Sequence, residues 1–232
     1  ADPNGGWNAA TAICAALVAR ERTGRGQYID VSLWEAMSVL VPEGWMGYAM
    51  NGGQPQRMGN RDILMAPHNC YPAAGEDEWV TVACADDAEW RALAQAIGRP
   101  ELADDPRFAG QTARKANEDA LDALLAEWTR ARTKWQVTEA LQAAGVAAFP
   151  TMHSKDLDED PHIVGRGFFS ELPHPEVGVR KHPGIPWRTA RGPNGVRSAA
   201  PILGADTDQV LRDVLGYPAD RIARLREAQI LN

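Results

Sequence analysis

Apolar and polar positions recur along this chain with two different periods, and the switches between them mark its elements. From Gly6 to Arg22, residues Ala9, Ala10, Ile13, Cys14, Ala16 and Leu17 recur at helical spacing. Small residues on nearly every side predict a helix buried against other elements rather than lying on the surface. Arg20 and Arg22 stand toward its C-terminus, where cations are favoured, and Gly24 is placed to end it. Across Gln27 to Leu33 the period changes to two: Ile29, Val31 and Leu33 alternate with Tyr28, Asp30 and Ser32, which predicts a strand. Trp34 to Met50 is apolar again and reads as helix, although Pro42, Gly44 and Gly47 interrupt it.

Asn51 to Arg61, "NGGQPQRMGNR", breaks the periodicity and reads as a loop. "HNCYPAAGEDEWVTVAC" then predicts two strands around a turn near Ala74 to Asp77. A helix follows from about Asp86, and another spans Ala113 to Ala131 with Ala120, Leu121, Leu124, Leu125 and Trp128 as its apolar stripe. A third begins at Thr133, which stands three residues before Gln136 in the spacing of a capping box. Gly145 ends that helix, and "VAAFP" is a short strand. Thr151 to Pro201 holds seven prolines and reads as loop, with extended segments at Phe168 to Leu172 and Ile185 to Thr189. Two amphipathic helices close the chain, at about Asp206 to Leu215 and Ala219 to Leu231, the first capped by Asp206 or Thr207. Mixed strands and helices with several αβ connections give an α/β or α+β class.

The 232 residues are 44% hydrophobic and 24% charged, enough for a sizeable core in one or two domains. A net charge of −7 argues against nucleic acid or an anionic membrane as partner, while leaving room for an anionic small molecule at helix ends and arginines. Cys14, Cys70 and Cys84 are odd in number and lack metal-type spacing, which fits a reducing cytoplasm. The five histidines, His68, His153, His162, His174 and His182, stand singly, none paired with another ligand at i,i+4, so no metal is expected. There is no serine-hydrolase elbow and no phosphate-loop or dinucleotide fingerprint. "TGRGQ" follows a helix and enters the expected strand, the reverse of a dinucleotide loop.

What remains is "ADPNGGW" at the head of the first helix. Asp2 has two readings. It is a suitable helix cap, followed by Pro3 at a position where a missing N–H costs nothing. It is also a candidate nucleophile, a carboxylate at the positive end of a helix, with Gly5 and Gly6 letting a bulky substrate approach the backbone.

Four stretches in order resemble the family III CoA-transferases, the group of the formyl-CoA and crotonobetainyl/carnitine CoA-transferases. They are Asp2 with its small-residue helix running into "RERTGRGQYIDVSL"; "NGGQPQRMGNR"; "APHNCYPAAGEDEWVTVA"; and "PILGADTDQVLRDVLG", similar to the family's "P-x-LG-x-x-T-x-x-VL" close. The resemblance implies that Asp2 is the catalytic residue, attacking an acyl-CoA and passing through an aspartyl-CoA thioester. It implies a glycine-rich substrate loop at Gly52, Gly53 and Gln54, and a coenzyme A thioester as substrate with no other cofactor. The partners it implies are an acyl-CoA, a carboxylic acid and, in the full-length form, a second copy in an interlocked homodimer.

The fold implied is α/β, a portion of a Rossmann-like large domain plus a small α+β domain. Residues 1–50 would be large-domain segment, 51–61 a glycine-rich linker, 62–150 the small domain, 151–179 a linker and 180–232 a return to the large domain. Family members are roughly twice this length, and the part ahead of the aspartate supplies most CoA contacts. The chain is therefore expected to be a fragment or split subunit, inactive alone and with apolar surface on its first elements that needs covering. Two alternatives stay open: an α-methylacyl-CoA racemase of the same fold, in which the aspartate works in an acid–base pair, and a non-catalytic half that needs its N-terminal partner.

Overall fold

The computed structural model describes residues 2–192 and 195–231. Helix α1 (Asp2–Thr23) leads through an extended stretch to α2 (Leu33–Ser38) and α3 (Pro42–Asn51). Strands β1 (His68–Pro72) and β2 (Trp79–Ala83) follow, then helices α4 (Asp87–Ala96), α5 (Gln111–Ala116), α6 (Glu118–Arg130) and α7 (Lys134–Ala143), and strand β3 (Ala147–Pro150). Beyond it lie α8 (Ser154–Glu159), α9 (Pro161–Gly165), and a hairpin of β4 (Phe169–His174) with β5 (Gly178–Pro183). Helix α10 (Thr207–Gln209) continues as a π-helical turn to Val214, and α11 (Ala219–Glu227) is last.

The core lies within Ala66–Ala148 and is built on a three-stranded antiparallel sheet in the order β1-β2-β3. Alternation decides its faces. In β2, Val80 and Val82 point into the core with Tyr71, while Trp79 and Thr81 point away, Thr81 standing opposite both Cys70 and Phe149. Helices α6 and α7 cover the inner face. Leu121 with Leu125 and Val137 with Leu141 present i,i+4 pairs to it, and α4 adds Trp90 and Leu93. Thr133 and Gln136 form the reciprocal capping box at the start of α7, and Gly145 follows that helix at φ 79°.

One charged side chain is fully inside this core. Arg114 donates from Nε to the Ala66 carbonyl (2.7 Å), from Nη1 to Phe108 (3.1 Å) and from Nη2 to Asp87 (2.8 Å), with its guanidinium 5.7 Å from the Trp90 ring centroid. Every side of the fork thus has an acceptor or an aromatic face, which is what allows an arginine to be buried.

Several local expectations are corrected. Gln27–Leu33 is not a strand: among the described residues no strand lies beside it, and alternation without a ladder partner leaves backbone groups to water. Its last residues instead start α2, where the Ser32 hydroxyl accepts from the Glu35 N–H (3.2 Å). The apolar run Trp34–Met50 splits because Pro42, which has no N–H, begins a new helix. The helix expected over Ala113–Ala131 breaks at Asn117, whose side chain bonds back to the Ala113 carbonyl (2.9 Å) in competition with the helix. The second late strand is Gly178–Pro183, not Ile185–Thr189, since the β4 hairpin selects the segment that can fold back in register. Helices α8 and α9 form inside the proline-rich stretch, with Pro161 at a first helical position and Asp160 accepting from the Ile163 N–H. Asp206 makes no side-chain cap bond, and α11 ends at Glu227 rather than Leu231.

Helix α1 is also less buried than its small residues suggest: only Gly5 is buried, while Trp7, Ile13 and Val18 are half exposed or more. Tyr28, Trp34, Trp45 and Met50 are exposed as well, so residues 7–50 present a broad apolar surface. Both sheets are antiparallel, and the described residues form no Rossmann-type parallel sheet.

Candidate functional site

Asp2 is the first residue of α1 and is exposed, rather than the capping residue ahead of the helix. Its carboxylate stands in the first turn of a 22-residue helix, where unpaired N–H groups and the dipole favour negative charge. The helix is fixed there by its neighbours. Asn4 Nδ2 donates to the Ala36 carbonyl of α2 (2.6 Å), and a Cβ at Gly5 would overlap the Leu33 side chain. Gly5 therefore serves helix packing and not substrate approach. Gly6 has nothing within 4 Å of where its Cβ would be and remains open.

Gly52 is the left-handed C-cap of α3, at φ 64°, with its N–H donating to Tyr48 (2.8 Å). Gly53 and Gln54 follow it, exposed. Among the described residues, no hydrogen bond or ion pair joins these three to Asp2. The far end of the same loop is firmly tied. Arg61 Nη2 reaches Asp119 (2.6 Å) and Asp122 (2.7 Å) of α6, and the Asp122 carboxylate also accepts from Tyr71 (2.7 Å) and Asn69 (3.0 Å). Lys115 donates to the Asp62 carbonyl, Gln111 to that of Leu64 and Arg114 to that of Ala66.

These contacts shift ionisation. The carboxylates of Asp119 and Asp122 hold the Arg61 guanidinium above its ordinary range, and burial with the neighbouring Asp122 raises the Tyr71 phenol. Backbone N–H groups of Met65 and Leu64 hold Asp62 below the usual carboxylate range. Burial pushes the Cys84 thiol up to about 12, which leaves it an inert core residue. The Arg61 network escaped sequence reading because its partners lie some sixty residues away. Its only local trace is the acidic pair Asp119 and Asp122, three apart on one helix face.

Gly59, Asn60 and Arg61 line a cavity of about 590 Å³, with Thr81 and Phe149 from the sheet's outer face. His68 at its edge meets the Asn60 carbonyl through Nδ1 (2.7 Å). A second cavity, about 220 Å³, is walled by Arg166, Phe168, Trp187 and Arg188. Trp187 packs edge-on against Trp7 of α1, with ring centroids 5.5 Å apart. Among the described residues no three His, Cys, Asp or Glu side chains converge as metal ligands, and no helix is long and apolar enough to cross a membrane.

The profile of CoA-transferase family III matches residues 1–207. The chain belongs to that family. It is 33% identical to succinyl-CoA–D-citramalate CoA-transferase of Chloroflexus aurantiacus, over 96% of this chain and 55% of that protein. It is 30% identical to formyl-CoA:oxalate CoA-transferase of Streptomyces avermitilis, over 99% of this chain and 59% of that protein. The crystal structure of a CAIB/BAIF family protein from Brucella suis superposes with a TM-score of 0.80 at 32% identity, covering 90% of this chain and 54% of that one. The family III chain thus spans somewhat more than half the length of these relatives.

Proposed function

We propose that this chain carries the nucleophile of a CoA-transferase that moves CoA from an acyl-CoA to a carboxylic acid. The observation that carries the reading is the family match across residues 1–207 together with Asp2, exposed at the positive end of α1. In the proposed sequence an Asp2 Oδ attacks the thioester carbonyl, the C–S bond breaks, and CoA leaves as thiolate. The thiolate then attacks the aspartyl carbonyl of the mixed anhydride and expels the donor acid, leaving an aspartyl-CoA thioester. The acceptor carboxylate displaces CoA from that thioester, and the thiolate attacks the acceptor's acyl carbonyl. The new acyl-CoA departs and the Asp2 carboxylate is restored. Helix N–H groups support each oxyanion formed on the Asp2 carbonyl. Coenzyme A enters as part of the substrate, and no further cofactor takes part.

The relatives' names favour transfer over racemisation, and they favour a dicarboxylic acid on one side of the exchange, since succinate, citramalate and oxalate all carry two carboxylates. Gly52, Gly53 and Gln54 would cover the intermediates, moving about the left-handed hinge at Gly52. We assign residues 62–150 to a small domain, and 1–50 with 180–232 to a larger Rossmann-like one completed in a cytoplasmic homodimer. The test is Asp2→Asn in the full-length protein. Transfer should fall at least a thousandfold, and acyl-CoA should leave a mass adduct on the Asp2 peptide of the wild type only. Retention of more than about a thousandth of the activity would refute the assignment.

A further inference from the structure

We propose that helix α8 is a salt-sensitive joint, fixed on one side to the core through Asp156 and latched on the other to the β4–β5 hairpin through Asp158. Two residues apart on a helix, these carboxylates point to opposite sides, about 200° around the axis. Each meets a lysine, and the two lysines belong to different parts of the molecule. Lys134, the first residue of α7, has its Nζ 2.5 Å from Asp156 Oδ2 and 2.6 Å from Glu78 Oε2, and donates to the Thr151 carbonyl (3.1 Å). Lys181, on β5, donates to both oxygens of Asp158, each at 2.9 Å.

Burial separates the two grips. The Lys134 and Asp156 side chains are 4% and 14% exposed, those of Lys181 and Asp158 47% and 42%. An exposed pair gains little over its contacts with water and weakens as salt screens it, whereas a buried pair is screened much less. Salt therefore loosens the grip on the hairpin while α8 stays on the core.

The remaining connections leave room for movement. Among the described residues, no hydrogen bond or ion pair joins residues 2–51 to residues 60–158, and Lys181–Asp158 is the one ion pair that joins residues 161–231 to them. The chain itself crosses between these parts twice. One crossing is residues 51–60, exposed throughout, with Gly52 and Gly59 at φ 64° and 65°. The other is Asp160, which closes α8 and caps α9 at a non-helical φ of −59° and ψ of 123°; Pro161 after it brings no N–H to carry one helix into the next. Trp187 packs against Trp7, so α1 and Asp2 belong to the hairpin side of the joint. The latch thereby governs where Asp2 stands relative to the core.

Distances between spin labels test the joint in the full-length protein, with accessible cysteines, Cys14 and Cys70 among them, replaced by serine. Nitroxides are placed at the exposed positions Glu127→Cys of α6 and Glu176→Cys of the hairpin, and in a second protein at Glu127→Cys and Lys155→Cys of α8. Each is diluted with unlabelled protein so that only distances within one chain are read. Between about 0.02 M and about 1 M sodium chloride the core-to-hairpin distribution should broaden about twofold, while the core-to-α8 distribution stays unchanged. Asp158→Asn should give the broad distribution at both salt concentrations, and Asp158→Lys combined with Lys181→Asp should restore the narrow one at low salt. A core-to-hairpin distribution indifferent to salt and to Asp158→Asn overturns the proposal. Broadening of both distributions together places the movement between α8 and the core and overturns it too. So does a charge-swapped pair that stays broad at low salt, since the latch would then not be ionic.

Discussion

Replacing Arg114 with methionine should destabilise the core around β1–β3 by about 3 kcal/mol. Methionine keeps most of the length and apolar stem but has no donors. The Ala66 and Phe108 carbonyls, both in residues with no exposed surface, each lose the partner that Arg114 supplies. An orphaned buried acceptor costs about 1–3 kcal/mol, so the pair accounts for roughly 2–6. Asp87 loses an ion pair too, but its side chain is 46% exposed and rehydrates, which keeps that loss under about 1 kcal/mol. Relief from burying a guanidinium offsets part of the sum. Urea unfolding followed by tryptophan fluorescence measures the effect, with Trp90 beside the mutated site. With a slope of about 2 kcal/mol per molar, the midpoint should fall by about 1.5 M. Asp87→Asn should move it by less than about 0.5 M, because that site keeps an acceptor and is open to water. A fall of under 0.5 M in Arg114→Met, comparable to the control, would refute the claim that these two carbonyls depend on Arg114.

Gly53→Ala should leave stability nearly unchanged, its added Cβ coming only within 3.9 Å of the Gly47 carbonyl, yet lower transfer and raise wasteful acyl-CoA hydrolysis if this loop excludes water. Gly52→Ala adds a cost of about 1–2 kcal/mol for forcing alanine into the left-handed region, visible as a lower Tm; unchanged turnover in both variants would make the segment a plain cap and turn. Asp62 is held below its ordinary pKa by the Met65 and Leu64 N–H groups, so its stabilising contribution is full above about pH 4 and is lost as pH falls through the lowered native value. Asp62→Asn should therefore lose less stability than the wild type between pH 5 and pH 2 in acid-unfolding curves, and parallel curves would refute the coupling.

The sequence alone determined the features whose causes are local. The Thr133–Gln136 box starts α7 because a hydroxyl three residues from an amide satisfies N–H groups within one turn. Val80 and Val82 face the core because a strand's period of two leaves no other option once the β1–β2 turn is made. Asp2 could be singled out because its identity and its place before a small-residue helix are both written in a few residues. Tertiary structure decided what depends on partners far along the chain. Gln27–Leu33 alternates like a strand, but a strand exists only where another supplies its ladder, and here Ser32 found a helix to cap instead. Gly5 reads in the sequence as room for a substrate, and the Leu33 side chain fills that room. Arg61 reads as one more surface cation until α6 brings Asp119 and Asp122 to it, whereas Arg166 and Arg188, just as plain in sequence, line one cavity with no ion-paired acid among the described residues. Charge compensation is a property of distance in space, and spacing along the chain does not encode it.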